Sequence, residues 1–252
     1  MNYDGLQDKV ALVTGAGRGI GFAIAESLGR RGAKIGVNDV RPAESEAAVT
    51  ALKRAGITAI SLAGNVTATS DANAVIDQIE SEFGRLDILV NNAGVLKPTR
   101  TEAISDEEWD FVINGNLKST FLCCRAAIPA LRRSRGGSII NMSSSAGKSV
   151  STIGGPHYTA AKAGVLGLTR HLARELAAEH IRVNAVCPGL IDTEMVRSTI
   201  PEATVKSYAA VFPALRLGLP SEVADLVVFL ASDLSSYITG ASCDINGGDL
   251  TI

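Results

Sequence analysis

Asn141–Lys162, NMSSSAGKSVSTIGGPHYTAAK, gathers the residues best suited to proton chemistry. It holds three consecutive serines, a Gly154–Gly155 turn and then Tyr158-x-x-x-Lys162. On a helix, positions four apart share a face, so the phenol and the ammonium stack one turn apart. A free tyrosine ionises near pH ~10, too high for a base at neutrality. A neighbouring cation favours the phenolate, so the spacing predicts a Tyr158 pKa lowered by Lys162. The loop before the helix can bring a serine hydroxyl over the same point. Many surface helices carry the same spacing, so the surrounding elements have to decide.

Those elements begin with Lys9–Val13, a short apolar strand ending at Thr14. Gly15-Ala-Gly17-Arg18-Gly19-Ile20-Gly21 follows, then a helical pattern through Leu28. Strand, glycine turn and helix together present bare N–H groups and a helix N-terminus to a phosphate. Gly15 permits the turn, Gly19 a close backbone approach and Gly21 close helix–strand packing. The second strand, Ala33–Asn38, runs into Asp39, placed where a carboxylate meets the adenosine ribose of a dinucleotide. A carboxylate there repels a 2′-phosphate, which favours NAD. Arg18 and Arg41 can pair with such a phosphate and keep NADP as the alternative.

Glu44–Ala55 and Ser70–Phe83 read as helices, Thr58–Leu62 and Leu86–Val90 as strands. The last of these is wholly apolar, as in a parallel sheet covered on both faces, and exits through Asn91-Asn92-Ala93-Gly94. Asp106–Leu131 is one long helical pattern interrupted by Asn114, Gly115 and Asn116, where water or ligand is expected nearby. Arg132, Arg133 and Arg135 follow it, suiting a helix C-terminus or an acidic partner. Gly137–Met142 and Ile181–Val186 are strands, and Gly164–Ala178 continues the Tyr158 helix. Its small residues suit packing against a second subunit. Pro188-Gly189 gives a fixed exit turn, Thr193–Leu217 a helical lid over the substrate, and Ser221 a cap for the helix to Ala231. Ala241–Ile245 is the last strand. The pattern predicts a single α/β domain over residues 1–252: a Rossmann fold, doubly wound, with a parallel sheet of about seven strands and helices on both faces.

At 252 residues, 46% apolar, the chain can build a substantial core. Its net charge of −2 gives no electrostatic case for nucleic acid or membrane partners. The four cysteines contain no C-x-x-C pair, so reduced, mostly buried thiols and no metal are expected. The first ten residues are polar, without a signal-peptide core, which leads to the expectation of a cytoplasmic protein.

Taken in order, Thr14–Gly21, Asn91–Gly94, Asn116, Ser144, Tyr158/Lys162 and Pro188–Gly189 resemble the short-chain dehydrogenase/reductase family, from about Lys9 to Gly248. The resemblance implies catalytic Asn116, Ser144, Tyr158 and Lys162. Asn116 is preferred to Asn114 because Gly115–Ser119 is similar to the family's V-N-L-K-G. Ser144 is the second serine of N-I-S-S-x-x-G, with Ser143 and Ser145 as competitors. It also implies a nicotinamide dinucleotide, NAD rather than NADP, held by Gly15, Arg18, Gly19, Ile20, Gly21, Asp39, Asn65, Val66, Asn92, Ala93, Gly94, Tyr158, Lys162, Pro188, Gly189, Ile191 and Thr193. Asn65-Val66 stands where relatives often have Asp-Val. Tyr158 then exchanges a proton with a small-molecule ketone or secondary alcohol, Lys162 tunes the phenol, Ser144 polarises the substrate oxygen, and Asn116 holds a relay water. A homotetramer is the family's usual assembly. Two alternatives stay open: an NADPH-dependent reductase of 3-oxoacyl groups on a carrier protein, and a dinucleotide-binding regulator without turnover.

Overall fold

Val10–Val13 is apolar at every position and essentially unexposed at every position, the pattern of a strand covered on both faces. In the computed structural model, which describes residues 6–199 and 201–252, it forms strand β1. The other strands are β2 (Lys34–Asp39), β3 (Ala59–Ala63), β4 (Ile88–Asn91), β5 (Gly137–Met142), β6 (Ile181–Pro188) and β7 (Ser242–Ile245). All seven are parallel, in the order β3-β2-β1-β4-β5-β6-β7. Helices α1 (Gly19–Gly29), α2 (Pro42–Arg54), α3 (Thr69–Phe83), α4 (Asp106–Ile113), α5 (Ser119–Arg133) and α6 (Pro156–Leu176) connect them. Two short helices, α7 (Glu194–Thr199) and α8 (Glu202–Val211), precede α9 (Pro220–Ala231).

Side chains alternate along β1 and so divide the core. Ala11 and Val13 join Ile24 and Leu28 of α1, Leu52 of α2 and Val227 of α9. Val10 and Leu12 join Ile79 of α3, Leu131 of α5 and Leu176 of α6 on the other face. The chain leaves β1 towards α1 on the first face, and leaves β4 towards α5 on the second. Strand order therefore reverses between β1 and β4, and a crevice opens at the carboxyl ends of those strands.

Three local expectations change. The long helix over Asp106–Leu131 is two helices joined by a π-helical turn, Asn114–Lys118. Asn116 Nδ2 donates to the Val112 carbonyl at 2.8 Å, Ser119 Oγ to Gly115 O at 3.0 Å, and Thr120 Oγ1 to Asn116 O at 2.7 Å. Side chains thus bond backbone carbonyls on both sides of the wider turn. Ser221 is not a cap. Pro220 occupies the first helical position and Leu219 the cap, and the Glu222 carboxylate accepts from the Leu219 N–H at 2.7 Å. The lid segment Thr193–Leu217 is broken into α7 and α8; Ile200 between them lies outside the described residues.

Cys123, Cys124 and Cys187 are buried, Cys243 is half-buried, and all four are free thiols. Among the described residues no helix is long and apolar enough to cross a membrane, and no cluster of metal-ligating side chains occurs.

Gly21 marks the closest packing in the crevice: a Cβ there would stand 2.4 Å from Gly15 O and 2.5 Å from Asn92 Nδ2. Gly21→Ala should therefore destabilise the protein by about 1–3 kcal/mol, the usual cost of overpacking. A urea midpoint indistinguishable from wild type would show that the loop yields freely.

Candidate active site

Thr14 ends β1 and ties the crevice together. Its Oγ1 accepts from the backbone N–H groups of Asn92 and Ala93, both at 3.0 Å. Asn92 answers by donating Nδ2 to Thr14 O at 2.9 Å and Gly15 O at 3.0 Å. The exit of β4 is thereby locked to the glycine turn. Gly15 and Gly19 have φ near +60°, a conformation that only glycine adopts without strain. Helix α1 starts at Gly19 with Ile20 in its first turn, so its bare N–H groups face the crevice. Thr193, whose Oγ1 accepts from Val196 N at 3.3 Å, faces Gly19 from the lid side; its Cγ2 would lie 3.8 Å from a Cβ there. Pro188 ends β6, the Gly189 N–H donates to Ile245 O at 3.0 Å, and Ile191 pairs with Gly218.

At the far end of the crevice, Asp39 is buried at the tip of β2. Its Oδ2 accepts from the Gly17 N–H at 3.3 Å and its Oδ1 from the Arg41 N–H at 3.0 Å. The Arg41 guanidinium lies 3.6 Å from Asp39 and 3.3 Å from Glu44. Arg18 points instead to the lid, 3.1 Å from Glu194. Asn65 spends its side-chain oxygen on Thr67, at 2.8 Å from Oγ1 and 3.2 Å from N, while Val66 packs into the core.

At the other end, α6 carries Tyr158 and Lys162. Lys162 is 4% exposed and donates Nζ to Met142 O at 2.8 Å. Asn116 is 1% exposed; Nδ2 also donates to Val95 O at 2.8 Å, and Oδ1 is a buried acceptor with no hydrogen-bond partner. A Cβ on Gly94 would stand 2.7 Å from that Oδ1 and 3.6 Å from Lys162 Nζ, so both groups face the same small space. The Ser144 side chain is close enough to Tyr158 to favour its phenolate, and its Oγ accepts from the Ala146 N–H at 3.1 Å. Ser143 is committed elsewhere, donating Oγ to Lys162 O at 2.8 Å, and Ser145 opens a short 3-10 turn. The geometry therefore singles out Ser144 among the three serines and Asn116 over Asn114. Tyr158, Ser144, Lys162 and Asn116 come together beside the glycine turn.

The expected effect of Lys162 on the phenol is not found. The Tyr158 pKa is raised, because burial penalises the phenolate more than the Ser144 hydrogen bond favours it. The ammonium lies 5.6 Å from the phenol ring centroid and is directed at the Met142 carbonyl. Its own pKa is pushed down to about 8 by burial.

Two residues that sequence reasoning passed over adjoin this group: His157, buried one position before Tyr158, and Glu108 on α4, 3.1 Å from it. Only their nearness in sequence to Tyr158 and Asn116 hinted at them. Arg132 and Arg133 lie away from the site. Arg132 forms a two-pronged pair with Glu179, and Arg133 one with Glu80. Both precede β5, at the sheet edge opposite the strands' carboxyl ends.

A family model described as enoyl-(acyl carrier protein) reductase matches residues 15–249. The 3-oxoacyl-(acyl-carrier-protein) reductase FabG of Escherichia coli (strain K12) is 43% identical over 249 residues, 98% of each chain. Its namesake from Staphylococcus aureus (strain Mu50) is 42% identical over 241 residues, 95% of this chain and 97% of that one. A crystal structure of 3-oxoacyl-(acyl-carrier protein) reductase from Brucella melitensis superposes with a TM-score of 0.91 at 37% identity, covering 96% of this chain and 91% of that one. The chain belongs to the short-chain dehydrogenase/reductase family. It is an oxidoreductase acting on CH–OH groups with a nicotinamide dinucleotide. The crevice fits such a cofactor: a helix N-terminus for the pyrophosphate, a buried carboxylate at the ribose end, and an orphan acceptor beside a buried ammonium.

The depressed Lys162 pKa has a consequence for stability. Between about 8 and its ordinary 10.5, the unfolded chain holds a proton that the folded protein has released. Stability rises with pH wherever the unfolded state binds more protons. Relative to Lys162→Met, cofactor-free wild type should be the less stable at neutral pH. It should regain up to ~3 kcal/mol across that window, at 1.36 kcal/mol per pKa unit. Paired urea titrations across the window measure this; a difference that does not change with pH would sink it.

Proposed function

We propose that the protein is an NAD-preferring dehydrogenase/reductase of a ketone and its secondary alcohol, with Tyr158 as general acid and base. Asp39 carries the cofactor preference. Its carboxylate lies against the Gly17 N–H and has Glu44 beside it, so the ribose end of the crevice is anionic. A 2′-phosphate there would meet like charge, while ribose hydroxyls can donate to it. Arg41 is already engaged by both carboxylates and Arg18 by Glu194.

The dinucleotide, when bound, supplies or accepts the hydride. Thr14–Gly21 would hold it at the pyrophosphate, Asn92–Gly94 along the adenosine-ribose side, Asn65 and Val66 at the adenine, Lys162 and Tyr158 at the nicotinamide ribose, and Pro188, Gly189, Ile191 and Thr193 at the carboxamide. The chain's own groups manage the proton. A raised phenol pKa keeps Tyr158 protonated near neutrality, the form that gives a proton to a ketone oxygen. Ser144 fixes that oxygen beside the phenol. Lys162, held on Met142 O, keeps a positive charge near the reacting group below about pH 8. Asn116 Oδ1, facing the same space, can accept from a water that passes protons to and from Lys162. Helices α7 and α8 act as the lid, and Tyr208 of α8 reaches the Thr152 carbonyl at 3.4 Å.

A second reading, reduction of 3-oxoacyl groups on an acyl carrier protein with NADPH, is favoured by the names of the relatives at 42% and 43% identity. Of the three arginines that suggested an acidic partner, Arg132 and Arg133 are paired with Glu179 and Glu80 and add little to it. Rates with NADH and NADPH against simple ketones, acetoacetyl-CoA and a 3-oxoacyl carrier protein separate the two. NADPH-dependent turnover confined to the carrier-bound thioester would replace the first reading with the second.

Tyr158→Phe should keep NADH affinity and lose at least ~10²-fold in kcat, as removal of an acid/base group does. Near-normal turnover would take Tyr158 out of the mechanism. Asp39→Ala should raise the NADPH/NADH ratio of kcat/KM by about tenfold or more, equivalent to ~1.4 kcal/mol. An unchanged ratio would mean that Asp39 does not face the ribose.

A further inference from the structure

His157 is fully buried, and each of its ring nitrogens has a separate partner. The backbone N–H of Tyr158 donates to Nδ1 at 3.0 Å. Nε2 lies 3.1 Å from Glu108 Oε1 on α4. With Nδ1 accepting, the neutral ring carries its hydrogen on Nε2 and gives it to the carboxylate. The Tyr158 N–H belongs to the first turn of α6, where donors have no helical partner; the imidazole meets it together with the Gly155 carbonyl at 3.1 Å.

Glu108 is fixed in its turn. Its N–H donates to Ser105 Oγ at 3.2 Å. A hydrogen bond from Thr99 holds its carboxyl below the usual range, burial opposes this, and His157 adds to the lowering. The Trp109 ring adjoins the imidazole at a 32° tilt, with centroids 6.4 Å apart. On the other side, a Cβ at Gly155 would be 2.7 Å from His157 Cε1 and 2.5 Å from Thr99 O. The ring is wedged between α4, the chain after β4 and the start of α6. Any buried imidazole needs partners for its nitrogens; what sets this one apart is that one of them is the amide of Tyr158 itself.

We propose that His157 is a positioning residue for Tyr158: held by Glu108, it anchors the first turn of α6 through the Tyr158 amide and so sets where the phenol stands. The proposal deepens the acid/base reading of Tyr158 and rests on it.

Two substitutions divide the ring's functions. His157→Asn can place its carbonyl oxygen near the Nδ1 position and loses Glu108. His157→Gln can place its amide near the Nε2 position and loses the Tyr158 N–H. Ultraviolet pH titration, with the Tyr158→Phe curve subtracted, isolates this phenol among the chain's four tyrosines. Emission of Trp109, the single tryptophan, reports whether the wedge stays packed. In His157→Gln the phenol should ionise nearer the ordinary tyrosine value of about 10. Its kcat with NADH and the best ketone of the panel above should fall about tenfold or more, since small misplacements cost that much. His157→Asn should keep the wild-type titration and lose less than about threefold in kcat. A His157→Gln titration that superimposes on wild type overturns the proposal, as do equal shifts in both variants. If His157→Gln does not fold, His157→Leu, which offers the Tyr158 N–H no acceptor, takes its place, with the same shift expected and an unchanged titration overturning the proposal. Near-normal turnover by Tyr158→Phe would end the acid/base reading, while the titrations still judge the positioning separately.

Discussion

Lys162 bears an ammonium group that is almost wholly out of water, and such a charge is costly unless hydrogen bonds replace the solvent. The Met142 carbonyl at the end of β5 provides one. The Lys162 backbone carbonyl is tied to the same strand exit through Ser143 Oγ. Both ends of one residue are thus fastened to β5, which fixes α6 in position and in rotation about its axis. Gly147 makes the approach feasible: a Cβ there would stand 2.6 Å from Ser143 Oγ and 2.8 Å from Lys162 O. Gly94 does the same on the β4 side, where Asn116 Oδ1 and Lys162 Nζ converge. The placement of Tyr158, Ser144 and Asn116 follows from where this one cation is held.

The sheet could be read from sequence because its strands are short, apolar and separated by helical patterns; VALV at β1 admits little else. Residue types and spacing also marked the site, since a phenol and an amine four apart on a helix have to be neighbours. What spacing could not convey was direction. It brought Lys162 near Tyr158 but did not show the ammonium aimed at Met142, so the sign of the phenol shift came out reversed. Asn114, Gly115 and Asn116 mark an interruption of the apolar face, but a single widened turn changes periodicity too little to show that the helix divides there. Three adjacent serines are equivalent on paper; the structure separates them by the bond from Ser143 to Lys162 O, the nearness of Ser144 to Tyr158 and the 3-10 turn that Ser145 opens. Ser221 has the composition of a cap, but Pro220 and Glu222 move the boundary to Leu219.

Charge is sorted along the crevice in a way that composition conceals. The net charge of −2 suggests a neutral surface. Yet the ribose end carries Asp39 and Glu44 around Arg41, while the chemical end holds the buried cation. Arg18 bridges the glycine turn to Glu194 at the start of the lid. Exposed pairs of this kind add little stability, so its significance lies in which group holds the arginine. A phosphate arriving near Arg18 would compete with Glu194 for the guanidinium.

A phenol made less acidic by burial and an ammonium made more acidic by burial act together on the direction of proton flow. Near neutrality both groups are protonated, and the site is set to give a proton to an oxygen that is gaining negative charge. On the acid/base reading of Tyr158, running in reverse requires a phenolate, which desolvation of the half-buried phenol disfavours. The nicotinamide ring is positively charged in its oxidised form and neutral in its reduced form. A bound oxidised dinucleotide would add positive charge near the phenol and a reduced one would not. On the same acid/base reading of Tyr158, one set of side chains would then serve both directions.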